Sequence, residues 1–168
     1  MKTPMNIRIE PAQERDVPLI LELIRGLAEY ERMSDQVVAT EAGLREALFG
    51  AQPSAEVIIA YADYRPAGFA LFFHNFSTFL GRRGLYLEDL FVTPEFRRLG
   101  IGRRLLTELA RIAVARGCGR FEWSVLDWNA PAIEFYKRLG ARPLDDWTIF
   151  RVTDAALTRL AGSDGAGD

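Results

Sequence analysis

The sequence is poor in the residues that build the commonest nucleophilic and metal centres. It contains one cysteine, Cys118, and one histidine, His74. A single cysteine excludes an intramolecular disulfide and a cysteine-based metal cluster. We interpret Cys118 as an inert thiol after a helix-ending glycine, and His74 as a structural residue among phenylalanines, with a titrating base as its alternative. Catalysis by a Ser-His or Cys-His pair is therefore not favoured, and no metal site is expected.

The sequence also lacks a dominant sign of charge and a long apolar run. Its formal net charge is -2 over 168 residues, which gives no reason to expect nucleic acid or an anionic membrane as a partner. No apolar run approaches the ~20 residues of a membrane span, and the N-terminal residues lack the apolar core of a secretory signal. We predict a cytoplasmic protein with one domain at 1–160, followed by a disordered tail at 161–168.

What the sequence does contain is an alternation of strand and helix patterns. Asp16 and Thr40 are predicted N-caps of two helices, and Asn129 and Gly140 are predicted to bound the last one. A strand, a helix and another strand along the chain suggest a right-handed crossover and a parallel pair. The predicted strands are 7–10, 56–62, 68–76, 85–92, 120–126 and 147–152, and the segment near 141–144 is suggested as the partner of the last.

A basic, glycine-containing turn separates the strand at 85–92 from the helix that follows. Gly100 and Gly102 let the backbone approach an anion closely, and the start of the helix offers unpaired N–H groups at the positive end of its dipole. Arginines at 97, 98, 103 and 104 surround the turn. Glycine at a strand-to-helix turn is common, so a structural role is the alternative. A nucleoside triphosphate hydrolase is disfavoured, because no Gly-Lys-Ser/Thr follows.

Two carboxylates, Glu88 and Asp89, precede this turn on the strand. As neighbours on a strand they are predicted to point to opposite faces. Either one is solvated or caps a helix, or both belong to an acidic cleft that attracts a cationic substrate. Tyr136 lies in the middle of the last helix, where it is either an amphipathic core residue or a phenol placed as a general acid.

The turn resembles the signature of the GNAT superfamily of acetyl-CoA-dependent N-acetyltransferases. Residues 97–102, RRLGIG, fit its Arg/Gln-x-x-Gly-x-Gly/Ala pattern. The chain is also similar to the diamine (spermidine/spermine) branch at LAEYE (27–31), QV (36–37), YLEDLFV (86–92), WNAP (128–131) and FYKRLGA (135–141). This resemblance implies the α/β GNAT fold: a mixed central sheet of about six to seven strands with helices on both faces.

The resemblance implies the cofactor-binding residues. The backbone of Leu90, Phe91 and Val92 would bind the pantetheine arm of acetyl-CoA as though it were an added strand. Residues further along would bind the pyrophosphate and the rest of the cofactor: Arg97, Arg98, Leu99, Gly100, Ile101, Gly102, Arg103, Asn129, Ala130, Pro131 and Ala132. Tyr136 would lie at the sulfur and protonate the departing thiolate.

The resemblance also implies an acceptor side. Glu88 would assist deprotonation of an amine, and the positions matching the acceptor-side residues of the branch are Tyr30, Glu31, Glu88, Asp89, Glu122, Trp123 and Ser124. The expected reaction moves an acetyl group to a primary amine of a diamine, polyamine or thialysine-like acceptor, in a homodimer and without a metal. An amino-acid or protein-amine acetyltransferase and a non-catalytic acetyl-CoA sensor are the alternatives. The loop before Trp147 is shorter than is usual in the branch, and Arg82 and Arg83 add positive charge, so the length and charge of the acceptor stay open.

Overall fold

The computed structural model describes residues 5–162 and contains one mixed sheet. Five strands in these residues follow the order β1-β2-β3-β4-β5, antiparallel except for the parallel pair β4-β5. The α/β class is therefore confirmed, with fewer strands than the six to seven expected. The strands are β1 Ile7–Pro11, β2 Glu56–Ala62, β3 Arg65–Ser77, β4 Arg82–Val92 and β5 Phe121–Trp123.

Five α-helices accompany these strands in the described residues: α1 Val17–Tyr30, α2 Glu41–Phe49, α3 Ile101–Ala115, α4 Ala130–Arg138 and α5 Asp154–Gly162. The predicted cap of α2 is confirmed, since the Thr40 hydroxyl accepts a hydrogen bond from the Gly43 N–H at 3.1 Å. Asp16 is the N-cap residue of α1, as predicted, but its side chain makes no capping hydrogen bond to the helix. The Asp16 carboxylate instead accepts from the backbone N–H of Gln13 at 2.8 Å, within a short 3₁₀ turn that precedes α1.

One face of the sheet is covered by α1 and α2. Their apolar side chains form a buried cluster with β2, β3 and β4, which includes Phe69 and Phe91. Gly26 lets α1 approach the sheet closely, because a Cβ at this position would lie 2.9 Å from the Phe91 ring. The cluster is made of Ile20, Leu23, Leu27, Leu48, Val57, Ile59, Phe69 and Phe91.

The other face of the sheet is covered by α3. Phe72 lies three residues beyond Phe69 on β3 and therefore points away from α1. Arg116, which ends α3, lies over the Phe72 ring at 5.9 Å. On its apolar side α3 buries Ile101, Leu105, Leu106, Leu109 and Ala113. The helices thus lie on both faces of the sheet, as expected.

A β-bulge changes the alternation of β4 next to the proposed acceptor residues. Leu71 pairs with Asp89 and Phe72 pairs with Leu87, so Glu88 is the additional residue of β4. Leu87 therefore shares the face of Phe72, whereas Asp89 shares the face of Leu71, which packs against the cluster under α1. Glu88 is exposed and Asp89 is partly buried.

The chain divides into two compact units between Ser124 and Val125. The second unit contains α4 and α5. Asn129 caps α4 by accepting from the Ala132 N–H at 3.3 Å, and Gly140 follows its last turn with φ 91°, as predicted. The predicted single domain at 1–160 stays a prediction.

Two strand predictions near this division are wrong. β5 ends at Trp123 instead of residue 126, and residues 147–152 and 141–144 form no strand. The run 147–152 has the apolar and β-branched composition of a strand, but Trp147 is 77% and Phe150 91% exposed in the absence of a partner strand among the described residues. Of the predicted tail, Ala161 and Gly162 belong to α5, and positions 163–168 lie outside the described residues.

Candidate active site

The parallel pair β4-β5 separates at the point where the predicted site begins. Its three residue pairs end at Leu87 and Trp123, while β4 continues to Val92. Within residues 5–162, the part of β4 beyond Leu87 pairs only with β3. This part of β4 therefore has an open edge on the side of β5.

The backbone groups on this open edge belong to Leu90 and Val92. Gly68 of β3 faces the Phe91 carbonyl so closely that a Cβ at Gly68 would collide with its oxygen, which places the Phe91 backbone on the β3 side. Backbone groups alternate sides along a strand, so those of Leu90 and Val92 face the open edge. Phe91 contributes its side chain to the core under α1. The open edge offers hydrogen-bonding groups to an extended ligand that would lie beside it as a further strand.

The glycine turn follows the open edge directly and exposes backbone N–H groups. Arg98 and Gly100 adopt left-handed conformations, with φ 64° and 79°. Gly100 is the N-cap of α3 without a side-chain cap hydrogen bond, and the first helical bond runs from the Arg104 N–H to the Gly100 carbonyl at 3.0 Å. The N–H groups at the start of α3 therefore have no intrahelical acceptor. Such a turn at a helix start binds anions such as a pyrophosphate.

Gly102 lies on the sheet side of this turn. A Cβ added there would be 3.9 Å from Cγ2 of Val92, an ordinary van der Waals distance. Alanine therefore fits the space at Gly102, whereas Gly100 is required for its positive φ. This difference agrees with the Gly/Ala alternative at the last position of the signature.

Arg97 differs from the other arginines of the turn because its side chain folds back over the end of α1. Its guanidinium carbon lies 4.6 Å from the centre of the Tyr30 ring and 5.8 Å from that of Phe91. Its Nε donates a hydrogen bond to the Val92 carbonyl oxygen at 3.1 Å. Sequence reasoning placed Arg97 with the phosphate ligands and gave no signal of these contacts.

The pKa of Asp89 depends on two other carboxyl groups where α1 ends beside β4. Burial, and to a lesser extent the negative charges of Glu88 and Glu31, together raise the pKa of Asp89 to about 6. Burial also raises the pKa of Glu31, the C-cap residue of α1. A carboxylate pair that lacks a neutralising partner favours either a proton or a bound cation. The predicted acceptor residues at 31, 88 and 89 are therefore brought together.

The acceptor residues predicted on and after β5 have partners of their own. Glu122 forms an ion pair with Arg120 at 3.0 Å and accepts a hydrogen bond from Asn75 at 3.3 Å. The hydroxyl of Ser124 is hydrogen-bonded to that of Tyr86 at 2.8 Å. Since the charge of Glu122 is balanced by Arg120, Glu122 is a weaker attractor of a cation than the group formed by Glu31, Glu88 and Asp89.

The remaining predicted residues lie in the second unit. Asn129, Ala130, Pro131 and Ala132 form the capped start of α4, and the Tyr136 ring packs against Phe135 with centroids 5.5 Å apart. Their contact with a cofactor stays a prediction. In the described part of the chain, no group of three or more His, Cys, Asp or Glu side chains could hold a metal ion, and no helix is long and apolar enough to cross a membrane.

Comparison with known proteins identifies the family. A sequence profile described as the acetyltransferase (GNAT) family matches residues 21–141. The chain belongs to the GNAT acetyltransferase family. As a GNAT enzyme it is an N-acetyltransferase, which agrees with the resemblance of its motifs.

Three curated relatives show the similarity, two of them over most of their length and one over a quarter of it. A thialysine N-epsilon-acetyltransferase of Sus scrofa is 40% identical, over 94% of this chain and 98% of that protein. An L-ornithine N5-acetyltransferase of Arabidopsis thaliana is 34% identical, over 91% of this chain and 87% of that protein. A human spermidine/spermine N(1)-acetyltransferase-like protein is 34% identical over 92% of this chain but only 24% of its own length.

Solved structures confirm the GNAT fold. An integron cassette protein from the mobile metagenome of V. cholerae superposes with a TM-score of 0.77 at 29% identity, over 95% of this chain and 99% of that one. An aminoglycoside acetyltransferase from a soil metagenome has a TM-score of 0.74 at 20% identity, over 88% of this chain and 95% of that one, and shows the likeness of fold alone.

Proposed function

We propose that this GNAT enzyme transfers an acetyl group from acetyl-CoA to the primary amine of a small cationic acceptor. The observation that carries the proposal is the position of the open edge of β4. This edge lies between the glycine turn and the cluster of carboxyl groups formed by Glu31, Glu88 and Asp89. The end of this edge at the glycine turn suits an extended arm that ends in phosphates, and the end at the carboxyl groups suits an ammonium. The enzyme is proposed to act in the cytoplasm as a homodimer.

The donor side relies on backbone groups. Leu90 and Val92 would hydrogen-bond the pantetheine arm, and the N–H groups at the start of α3 would bind the pyrophosphate with Arg98 and Arg103 nearby. Asn129 to Ala132 are proposed to contact the same cofactor. Bound acetyl-CoA supplies the acetyl group as a thioester, which an uncharged amine can attack.

The acceptor side relies on carboxylates. An alkylamine has a pKa near 10, so at neutral pH it arrives as an ammonium that cannot act as a nucleophile. The carboxylates of Glu31 and Asp89 attract this cation, and Glu88, exposed at the bulge, accepts its proton directly or through a water. A bound cation also stabilises the ionised form of Asp89, whose pKa of about 6 otherwise keeps it partly protonated near that pH.

The transfer then needs alignment and a proton for the leaving group. Holding the amine beside the thioester removes much of the entropic cost of their encounter. Backbone N–H groups at the end of β4 would stabilise the oxyanion that develops on the carbonyl. Tyr136 is proposed to protonate the CoA thiolate as the bond to carbon breaks.

The class of acceptor is proposed from charge and from the relatives. Thialysine and L-ornithine, named in two relatives, are amino acids with a side-chain primary amine. The cluster of three acidic side chains suits the side-chain ammonium of such amino acids, and it also suits a diamine or a polyamine.

An amine panel tests the proposal. Acetyl-CoA is offered with propane-1,3-diamine, butane-1,4-diamine, spermidine, thialysine, ornithine, lysine and a lysine peptide, and release of free thiol is followed. We expect turnover with at least one small amine and the highest kcat/KM for an amino acid such as thialysine or ornithine. No turnover with any amine, together with tight binding of acetyl-CoA, would favour a sensor, and preference for the peptide would favour a protein-amine acetyltransferase.

The proposed homodimer has a separate test. Light scattering on the purified chain should give twice the 18.9 kDa of one chain. A monomer at the concentrations used for turnover would contradict this part of the proposal and leave the activity standing.

A further inference from the structure

The side chain of Arg97 joins two elements that carry the two sides of the proposed site. Tyr30 is the last residue of α1, and the guanidinium of Arg97 lies 4.6 Å from its ring centre. Val92 is the last residue of β4, and its carbonyl oxygen accepts from Arg97 Nε at 3.1 Å. One side chain therefore holds the end of the acceptor-side helix against the end of the donor-side strand.

The Phe91 ring and the close approach of α1 at Gly26 hold this arrangement in place. The Phe91 ring lies 5.8 Å from the guanidinium and packs beneath α1, where Gly26 leaves no room between helix and ring. The guanidinium thus spans two aromatic rings and a main-chain oxygen. Arg97 and its neighbour Arg98 are both exposed, but Arg98 lies within the turn itself with φ 64°. The side chains of the two adjacent arginines therefore lie in different surroundings.

We propose that Arg97 is a positioning residue for both substrates and not a ligand of the cofactor's pyrophosphate. The inference rests on the proposed function and assigns Arg97 to the join between Tyr30 and Val92. A guanidinium can stack on a ring while its Nε donates in the plane, whereas a lysine ammonium lacks this planar geometry. A carbonyl oxygen has two lone pairs, so Val92 can accept from Arg97 and still face a ligand at the open edge.

Arg97 sets the position of Glu31 through Tyr30. Glu31 follows Tyr30 as the C-cap of α1, and its charge is one of those that raise the pKa of Asp89. Releasing Tyr30 would let the last turn of α1 move, and the separation of the carboxyl groups would change with it. We therefore expect Arg97 variants to alter recognition of the amine as well as the alignment of the donor arm.

A truncated donor separates this role from phosphate binding. S-acetylpantetheine carries the thioester and the arm but no pyrophosphate. Arg97→Met should raise the KM for the amine about three- to tenfold with acetyl-CoA and with S-acetylpantetheine alike, in line with one cation–π contact and one hydrogen bond. Arg98→Met is the matched control. It should weaken the binding of acetyl-CoA and leave the binding of S-acetylpantetheine unchanged. An Arg97→Met defect that disappears with S-acetylpantetheine would overturn the proposal and make Arg97 a phosphate ligand.

A double-mutant cycle tests the contact with Tyr30. Tyr30→Leu removes the ring, Tyr30→Phe keeps it, and each is combined with Arg97→Met. Tyr30→Leu should raise the amine KM severalfold in the parent enzyme and by less than twofold in the Arg97→Met background. Arg97→Lys, which retains the charge without the planar group, should behave like Arg97→Met. Independent effects of the two substitutions, or full activity of Arg97→Lys, would contradict the proposal.

A last measurement needs no turnover, so it remains decisive if no acceptor is found. Amide hydrogen exchange of the segment 28–32 should be faster in Arg97→Met than in the parent, with exchange in α3 unchanged. Unchanged exchange in 28–32 would overturn the positioning role. Faster exchange together with an inactive parent enzyme would instead locate the failure in the proposed activity.

Discussion

The proposed donor side and the proposed acceptor side of the candidate site use different kinds of chemical group. The donor side uses main-chain groups: the open edge at Leu90 and Val92, and the turn fixed by Gly100 with φ 79°. The acceptor side uses side-chain carboxyls whose charge depends on burial, as the raised pKa of Asp89 indicates. A main-chain site should respond to changes of conformation, and a carboxyl site should respond to pH. This contrast predicts how substitutions on each side alter turnover, affinity and stability.

The largest effect is expected for Tyr136, which is proposed to act in catalysis and not in the binding of either the donor or the acceptor. Tyr136→Phe keeps the ring and removes the proposed acid, so kcat should fall on the order of 1,000-fold. The dissociation constant of acetyl-CoA, measured by calorimetry, should stay within about twofold, because the binding surface changes by one hydroxyl. An unchanged kcat would remove Tyr136 from the mechanism.

On the acceptor side, Glu88→Gln should give the next largest effect. Turnover should fall about 100-fold at pH 7, where the amine needs a proton acceptor, and less at pH 10, where much of the amine is already neutral. Full pH-rate profiles of parent and variant measure the difference. A loss of equal size at all pH values would assign Glu88 to binding instead of proton removal.

On the donor side, Gly100→Ala tests the conformation of the turn. An L residue in the left-handed region costs about 1–2 kcal/mol, so the dissociation constant of acetyl-CoA should rise about tenfold at every pH. Gly102→Ala is the matched control, with its Cβ at van der Waals distance from Val92 and an expected change below about twofold. Equal effects of the two alanines would break the distinction between a conformational and a steric requirement.

The effect expected to change turnover least is one of stability, and it has a defined sign. The pKa of Asp89 is raised to about 6 in the folded chain from an ordinary 3.8, so the parent loses stability as the pH rises through this interval. Asp89→Asn cannot ionise and should be more stable than the parent by about 1–3 kcal/mol at pH 8, with no gain at pH 4. Urea unfolding at both pH values measures this, and a gain that does not depend on pH would show that charge is not the cause.

Calorimetry of the acceptor supplies a companion to this prediction. Binding of an ammonium should lower the pKa of Asp89, so protons are released when the amine binds near pH 6. The observed binding enthalpy should therefore vary with the ionisation enthalpy of the buffer in the parent and much less in Asp89→Asn. Equal buffer dependence in both would place the titrating group elsewhere.

The sequence predicts the donor side better than the acceptor side, for physical reasons. Gly100 and Gly102 and the strand before them carry local signals, because a left-handed turn and a helix start depend on neighbouring residues. The bulge at Glu88 has no such signal. Alternation along β4 continues through it unchanged in the sequence, and only the pairing with β3 reveals the additional residue. The burial of Asp89 therefore escapes sequence reasoning.

The elements beyond β5 show a second limit. α4 was predictable because Asn129, Pro131 and Gly140 mark its ends locally. The run 147–152 has strand composition, but a strand exists only where another strand pairs with it, and composition cannot supply that partner. The same limit applies to Arg97, whose contact with Tyr30 joins residues far apart in the chain.

Gly26 lies outside every set of predicted site residues, and yet it sets how closely α1 approaches β4 beside them. It is one helical turn before Tyr30, and its missing side chain brings α1 down onto the Phe91 ring. Any larger residue there must lift the helix or turn the ring, and either movement reaches Tyr30, Arg97 and the carboxyl of Glu31. A single methyl group at position 26 would thus work as a spacer. We therefore expect a substitution at position 26 to change the preferred acceptor of this enzyme without touching the acceptor.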